Sequence, residues 1–196
     1  MNNFKDEVKK KVESYSNKEY LDGYIKSEFL TSDGNADIFL RVKDRYDLFD
    51  YRTLDNQEDL CSSVYEYIDD KSSMLENDIK LKLNIVGLDL DENDEGKVKH
   101  IIKEHYAIEL YKVQREYRRI QKIIFFLLFV GLLSLAIYWF MFYVHSSKFL
   151  IEVFGFLFSF TLWKATENYI YDISKLKYKR ESIAQRLLMD VCFIKK

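Results

Sequence analysis

Hydrophobic spacing along the chain changes character several times, and each change predicts an element. Over residues 3–17, Phe4, Val8, Val12 and Tyr15 recur at steps of four, four and three, the signature of an amphipathic helix. Lys5, Lys9, Lys10 and Lys11 lie on its other faces. Asp6, Glu7 and Glu13 among them favour packing on a domain over lying on a lipid surface. Residues 24–31 are rich in aromatic and β-branched side chains and read as a strand. Ser32-Asp33-Gly34-Asn35 follows, with the Asp-Gly pair of a tight hairpin. Ile38, Leu40 and Val42 then alternate with Phe39, Arg41 and Lys43 in a second strand. Residues 48–53 are expected to add a third short strand after a turn at Asp44-Arg45.

Asp55 and Glu58 have the spacing of a capping box, opening a helix whose apolar face is Leu60, Val64, Ile68 and Leu75. Ile79, Leu81, Leu83 and Ile85 alternate with Lys80, Lys82, Asn84 and Val86, which predicts a strand with one core face and one mostly wet face, ended by Gly87. A long helix is expected from about Asp91, with Asp91, Glu92, Asp94 and Glu95 near its positive end. Val98, Ile102, Tyr106, Leu110, Val113, Tyr117 and Ile120 form its apolar stripe.

No breaker separates that stripe from residues 123–144, which carry no charge and no polar face. At roughly 1.5 Å per residue the run covers about 33 Å, enough to cross the hydrocarbon core of a bilayer. A second apolar run, residues 149–168, follows the short connection 145–148, so the two are expected to form an antiparallel transmembrane hairpin. The front of the chain, residues 1–17 and 18–111, then reads as a small cytosolic α+β domain of β-hairpin, helix, strand and long helix. Residues 112–122 form a basic juxtamembrane helix. Residues 169–196 form a cytosolic C-terminal helix and tail, in which residues 191–194 either add a strand or pack on the domain.

Charge sharpens this arrangement. Residues 1–110 carry 16 Lys/Arg against 26 Asp/Glu, a net of −10, whereas residues 111–196 carry 14 against 6, a net of +8. The acidic front half disfavours nucleic acid. Arg115, Arg118, Arg119 and Lys122 precede the first run, and Lys164, Lys175 and Lys177 follow the apolar core of the second, while the connection holds Lys148. This bias predicts a multi-pass protein of the plasma membrane with both termini cytoplasmic. Residues 1–17 are too polar for a secretory signal, so the internal run is expected to direct insertion.

Candidate chemistry is sparse. Glu152 lies inside the second run, and an intramembrane carboxylate is a functional candidate. Gly155 and Ser159 make a small-xxx-small pair suited to close helix contact or oligomerisation. Asp89-x-Asp91-x-Asn93 opens like a calcium loop, but Asp94 and His100 stand where glycine and glutamate belong, so helix capping is the better reading. The pairs His100/Glu104 and His105/Glu109 lack two-histidine zinc spacing and read as solvated helix surface. Cys61 and Cys192 read as lone, partly buried thiols. No phosphate loop, nucleophile elbow or kinase signature occurs, and no catalytic residue, metal or cofactor is expected.

The segments FGFLFSFTLWKATENYIYDISKLK (154–177) and HIIKEHYAIEL (100–110) resemble small uncharacterised bacterial membrane proteins with a cytosolic α+β domain and a two-span hairpin. The resemblance covers about half the chain and implies architecture, with no activity attached. Together these features lead us to expect a membrane-anchored, non-catalytic interaction or sensing module. It would engage the lipid bilayer and either a protein partner or a second copy through the hairpin. The rival expectation is an oligomerising two-span effector of toxin or phage-defence type that permeabilises the bilayer when triggered.

Overall fold

The computed structural model describes residues 29–31, 34–50, 52, 58–87, 89–145 and 147–194. The elements are β1 (Ala36–Arg41), α1 (Arg45–Leu48), α2 (Ser62–Ser73), β2 (Leu81–Val86), α3 (Glu92–Tyr143), α4 (Lys148–Glu167), a π-helical segment (Asn168–Ile173), α5 (Ser174–Leu187) and β3 (Asp190–Ile194). The strands form one sheet in the order β1-β2-β3, and both pairings are parallel.

Parallel neighbours cannot be joined by a tight turn and need a long crossover. The first crossover, β1 to β2, carries α1 and α2. The second, β2 to β3, carries α3, α4, the π segment and α5. The two long apolar helices are therefore an excursion within the second crossover, and the final strand returns to the sheet that the chain left. Register explains the pairing. Ile38, Leu83 and Val191 share one row, and Leu40, Ile85 and Phe193 the next. The apolar alternation of three separate segments thus coincides on one face.

The chain divides into two compact units, Met1–Ala107 with Ala184–Lys196, and Ile108–Ile183. In the first, Ile38, Ile68, Leu81, Leu83, Val98 and Tyr106 are essentially solvent-free. The helix face expected from Leu60, Val64, Ile68 and Leu75 is buried throughout. Gln185 in α5 closes the turn before β2 by donating from Nε2 to Glu76 O at 2.8 Å and Ile79 O at 2.7 Å. Gly87 ends β2 at φ +108°, where an added Cβ would lie 2.6 Å from the Val42 carbonyl oxygen. Only glycine fits that approach.

Several local expectations are corrected. Residues 48–50 do not continue as a strand. Asp44 instead accepts hydrogen bonds from the Tyr46 and Asp47 amides at 2.8 and 3.1 Å, which opens the helical turn α1. Such local bonds compete with a strand ladder. Among its described residues the region retains one antiparallel bridge, Phe49 with Leu60. Helix α2 begins at Ser62 after Cys61, with no side-chain cap, and the Glu58 carboxylate pairs with Arg45 and Lys97 instead. Asn84, expected on a wet face, is buried. Of the expected hairpin turn the described flanks are joined: Leu30 bridges Ala36 antiparallel, and Gly34, at φ +76°, donates its amide to Thr31 O at 3.0 Å. The other residues of the 24–31 strand, the 1–17 helix, and Thr53 and Asp55 lie outside the described residues. The tail choice resolves as a strand, β3.

Candidate functional site: the apolar hairpin and its basic collar

Helix α3 runs for 52 residues without interruption, as the unbroken stripe predicts. Its end is closed by His145, which takes the left-handed conformation at φ 55° more often filled by glycine. Helix α4 then returns alongside. Gly131 of α3 faces Thr161 of α4, and an added Cβ at Gly131 would come within 2.9 Å of Thr161 Oγ1. Gly155 of α4 faces the Tyr138 ring at 3.4 Å on the same basis. Passing from Gly131 to Tyr138 toward the end of α3 meets Thr161 and then Gly155, in reverse order along α4, as an antiparallel hairpin requires.

Small and hydroxylated residues make that approach possible. Ser134 and Thr161 are buried at the contact, and each donates its hydroxyl to a carbonyl of its own helix, Val130 O at 2.8 Å and Leu157 O at 2.9 Å. No polar hydrogen is stranded between the helices. Gly155 was singled out with Ser159, but the two part company. Gly155 serves the hairpin itself, whereas Ser159 is exposed and bonds back to Gly155 O at 3.0 Å. Glu152 is exposed on the outside of α4, beside the exposed Phe149, Val153 and Phe156.

The outer surface of the hairpin is apolar. Twenty large apolar side chains among the described residues 123–163 are more than a third exposed, Phe125, Phe129, Leu132 and Phe156 among them. Only 11% of the most apolar stretch of each long helix is buried. At roughly 1 kcal/mol for a half-exposed large side chain, holding this surface in water costs on the order of 20 kcal/mol. That exceeds the roughly 5–15 kcal/mol net stability of a typical domain.

Directly before this surface, α3 carries the basic collar. Lys112, Arg115, Arg118, Arg119 and Lys122 line a cleft of about 670 Å³, together with Tyr111, Gln114 and Glu116. Among the described residues no carboxylate pairs with any of the five cations. Lys164, at the other end of the hairpin, differs: its ammonium lies 2.9 Å from Glu167 Oε2. Lys175 and Lys177 are exposed on α5. Arg180 of α5 sits over the Tyr117 ring at 5.2 Å, so α5 runs beside α3 within this unit.

The first unit carries two charge clusters whose members lie far apart along the chain. Arg45 binds Asp94 Oδ2 at 2.7 Å, and Lys97 binds Glu58 Oε2 at 3.1 Å. Asp91, the third position of the calcium-like run, accepts the Asp94 amide at 2.7 Å and caps α3. A second cluster joins the Tyr106 hydroxyl to Asp69 at 3.0 Å and Arg186 to both Asp69 and Ser72, at 3.1 and 2.7 Å. His105 is not solvated surface: its ring stacks on Tyr65 with centroids 3.7 Å apart. His100 and Glu104 are an exposed pair at 3.7 Å.

Burial, the hydrogen bond to Asp59 and the Asp59 charge together push the Tyr65 hydroxyl far above the ordinary phenol range. Cys61 is likewise raised, by burial and by the Asp50 and Asp47 charges. A second cleft of about 420 Å³ is lined by Lys82, Lys99, Lys103 and residues 189–192 of the β3 edge, with Asp190 held by Lys80 at 2.7 Å. No protein-family model matches this chain, and no curated protein or solved structure matches it.

Proposed function

We propose that the protein is a membrane-anchored interaction or sensing module without catalytic activity. In this reading the apolar hairpin spans the plasma membrane, and the sheet-bearing unit faces the cytoplasm as a partner-binding head. The observation that carries it is the apolar exterior of α3 and α4, whose exposure to water would cost more than a domain's stability. The return of β3 to the sheet left by β2 supports placing both ends of the hairpin on one side. The excess of cations at those ends supports the cytoplasmic side.

Topology is tested with the full chain in intact cells, using an impermeant maleimide. Ser147→Cys is expected to label from outside, and Cys61 and Cys192 only after permeabilisation. Labelling of Cys61 from outside refutes the orientation. For function, a photo-crosslinker at Phe39, an exposed side chain of β1, is expected to capture a discrete partner, while one at Phe129 captures lipid. Capture of a partner only through hairpin positions would count against the module.

One observation favours a second reading. Glu152 and Ser159 are exposed on the outside of α4, where a polar pair is costly in lipid and available to another copy. An oligomerising effector of toxin or phage-defence type would use them. Overexpression is then expected to collapse the membrane potential and Glu152→Ala to restore it; an intact potential on overexpression rejects this reading.

A further inference from the structure

We propose that the basic cleft of α3 binds the phosphate headgroup of an anionic membrane lipid and so ties the start of the first span to one lipid class. The inference rests on the membrane reading above and goes beyond it, because an anchor needs no lipid preference. Three observations carry it. The first is charge. Five cations meet one carboxylate in the cleft, and among the described residues none of the five is held in an ion pair. Topology alone asks only for cations near the span, and Lys164 meets that demand while paired to Glu167. Unpaired cations gathered around an open volume are a different arrangement, one with spare binding capacity.

The second is residue type. Three of the five are arginines, whose planar guanidinium groups donate two parallel hydrogen bonds to a phosphate; lysine offers a point charge. Lys112, Arg115, Arg119 and Lys122 succeed one another at steps of three and four, so they share one helix face, with Arg118 beside it. A cleft of about 670 Å³ is ample for a phosphodiester headgroup.

The third is depth. The uncharged run begins at Ile123, directly after Lys122, and Arg119 lies about 6 Å before it at 1.5 Å per residue. A headgroup layer is about 5–8 Å thick on each side of the hydrocarbon core. Arg118, Arg119 and Lys122 are therefore at the level where lipid phosphates lie. A soluble phosphate would have no reason to require this depth, and the cleft is assigned to lipid on that ground.

The test uses the full chain in nanodiscs of phosphatidylcholine with or without phosphatidylglycerol, followed by native mass spectrometry of the released protein. Phosphatidylglycerol is expected to be retained in preference to phosphatidylcholine. A cation near a charged bilayer surface is worth about a five-fold change in affinity. The triple variant Arg115→Gln/Arg118→Gln/Arg119→Gln is thus expected to lose about 100-fold, and Glu116→Gln to gain about five-fold. Lys175→Gln/Lys177→Gln/Lys179→Gln removes the same charge from α5 and is expected to leave retention unchanged. Equal retention of the two lipids, or equal loss in both triple variants, overturns the proposal. Displacement of the lipid by soluble glycerol 3-phosphate at matching concentration assigns the cleft to a free phosphate and overturns it as well. The membrane reading fails by a separate result, release of the chain from membranes by alkaline carbonate without detergent. Insertion of each variant is checked by labelling at Ser147→Cys.

Discussion

Similar side chains have opposite fates in the two units. Ile38, Leu83 and Ile102 are buried to within 1% in the first, whereas Phe129 and Leu132 stand about two-thirds exposed in the second. The first unit brings apolar residues together from three strands and several helices and pairs some of its charges across them. The second presents apolar residues outward and keeps its small and hydroxylated ones inside, at Gly131, Ser134 and Thr161. The difference teaches what each unit is built to meet. Where water is the solvent, apolar area drives packing. Where lipid is the solvent, as we propose for the hairpin, apolar area gains nothing by burial, and close helix contact through small residues takes over.

The contrast is sharpest at a single truncation in each unit. Leu83→Ala removes a fully buried side chain from the central strand and is expected to cost about 2–5 kcal/mol. Phe129→Ala, made on the hairpin exterior, is expected to change stability by less than about 1 kcal/mol in detergent. Thermal unfolding in the same micelle compares the two. Comparable losses would mean that Phe129 is packed against protein and would break the contrast.

Next in size is the helix contact. Gly131→Ala drives a methyl group against Thr161 Oγ1 and is expected to cost about 1–3 kcal/mol. Adding Thr161→Ala should recover most of it, and a double variant no better than the single would show that the helices do not meet there. Gln185→Leu in the first unit removes the donations to Glu76 O and Ile79 O, each worth about 1 kcal/mol. It also removes Gln185 Oε1, which is buried and has no partner among the described residues. The two effects oppose, so a net loss of about 1 kcal/mol is expected by denaturant unfolding.

The smallest effect is a pH slope. The folded first unit keeps the Tyr65 proton to higher pH than the unfolded chain does. The folded state therefore holds more protons once pH rises past the ordinary phenol value near 10, and stability falls from there upward. Below that value this group adds no slope. Tyr65→Phe is expected to flatten the alkaline limb relative to the parent, and identical limbs would contradict the Tyr65–Asp59 hydrogen bond.

Much of the architecture was legible in the residues themselves. The Leu60, Val64, Ile68 and Leu75 face, the alternation through Leu81, Leu83 and Ile85, and the long stripe from Val98 each obey a local period. The basic collar was equally plain as a list of cations. What the sequence missed depended on partners far along the chain. Glu58 read as half of a capping box, yet it answers Arg45 and Lys97. His105 read as surface, yet it stacks on Tyr65. Gly155 and Ser159 read as one motif, yet only Gly155 faces the neighbouring helix. The π segment at Asn168–Ile173 carries no proline or glycine to announce it.

The two long apolar helices, their short connection and the placement of charge around them follow from the residues alone, because periodicity, length and composition are properties of a contiguous stretch. That the sheet is parallel, that residues 190–194 complete it, and that the hairpin sits inside a strand-to-strand crossover emerges only when the strands pair in space. The reason is physical. A strand's backbone groups must be satisfied by another strand, and nothing within five residues such as Asp-Val-Cys-Phe-Ile states which partner, more than 100 residues away, will supply the bonds.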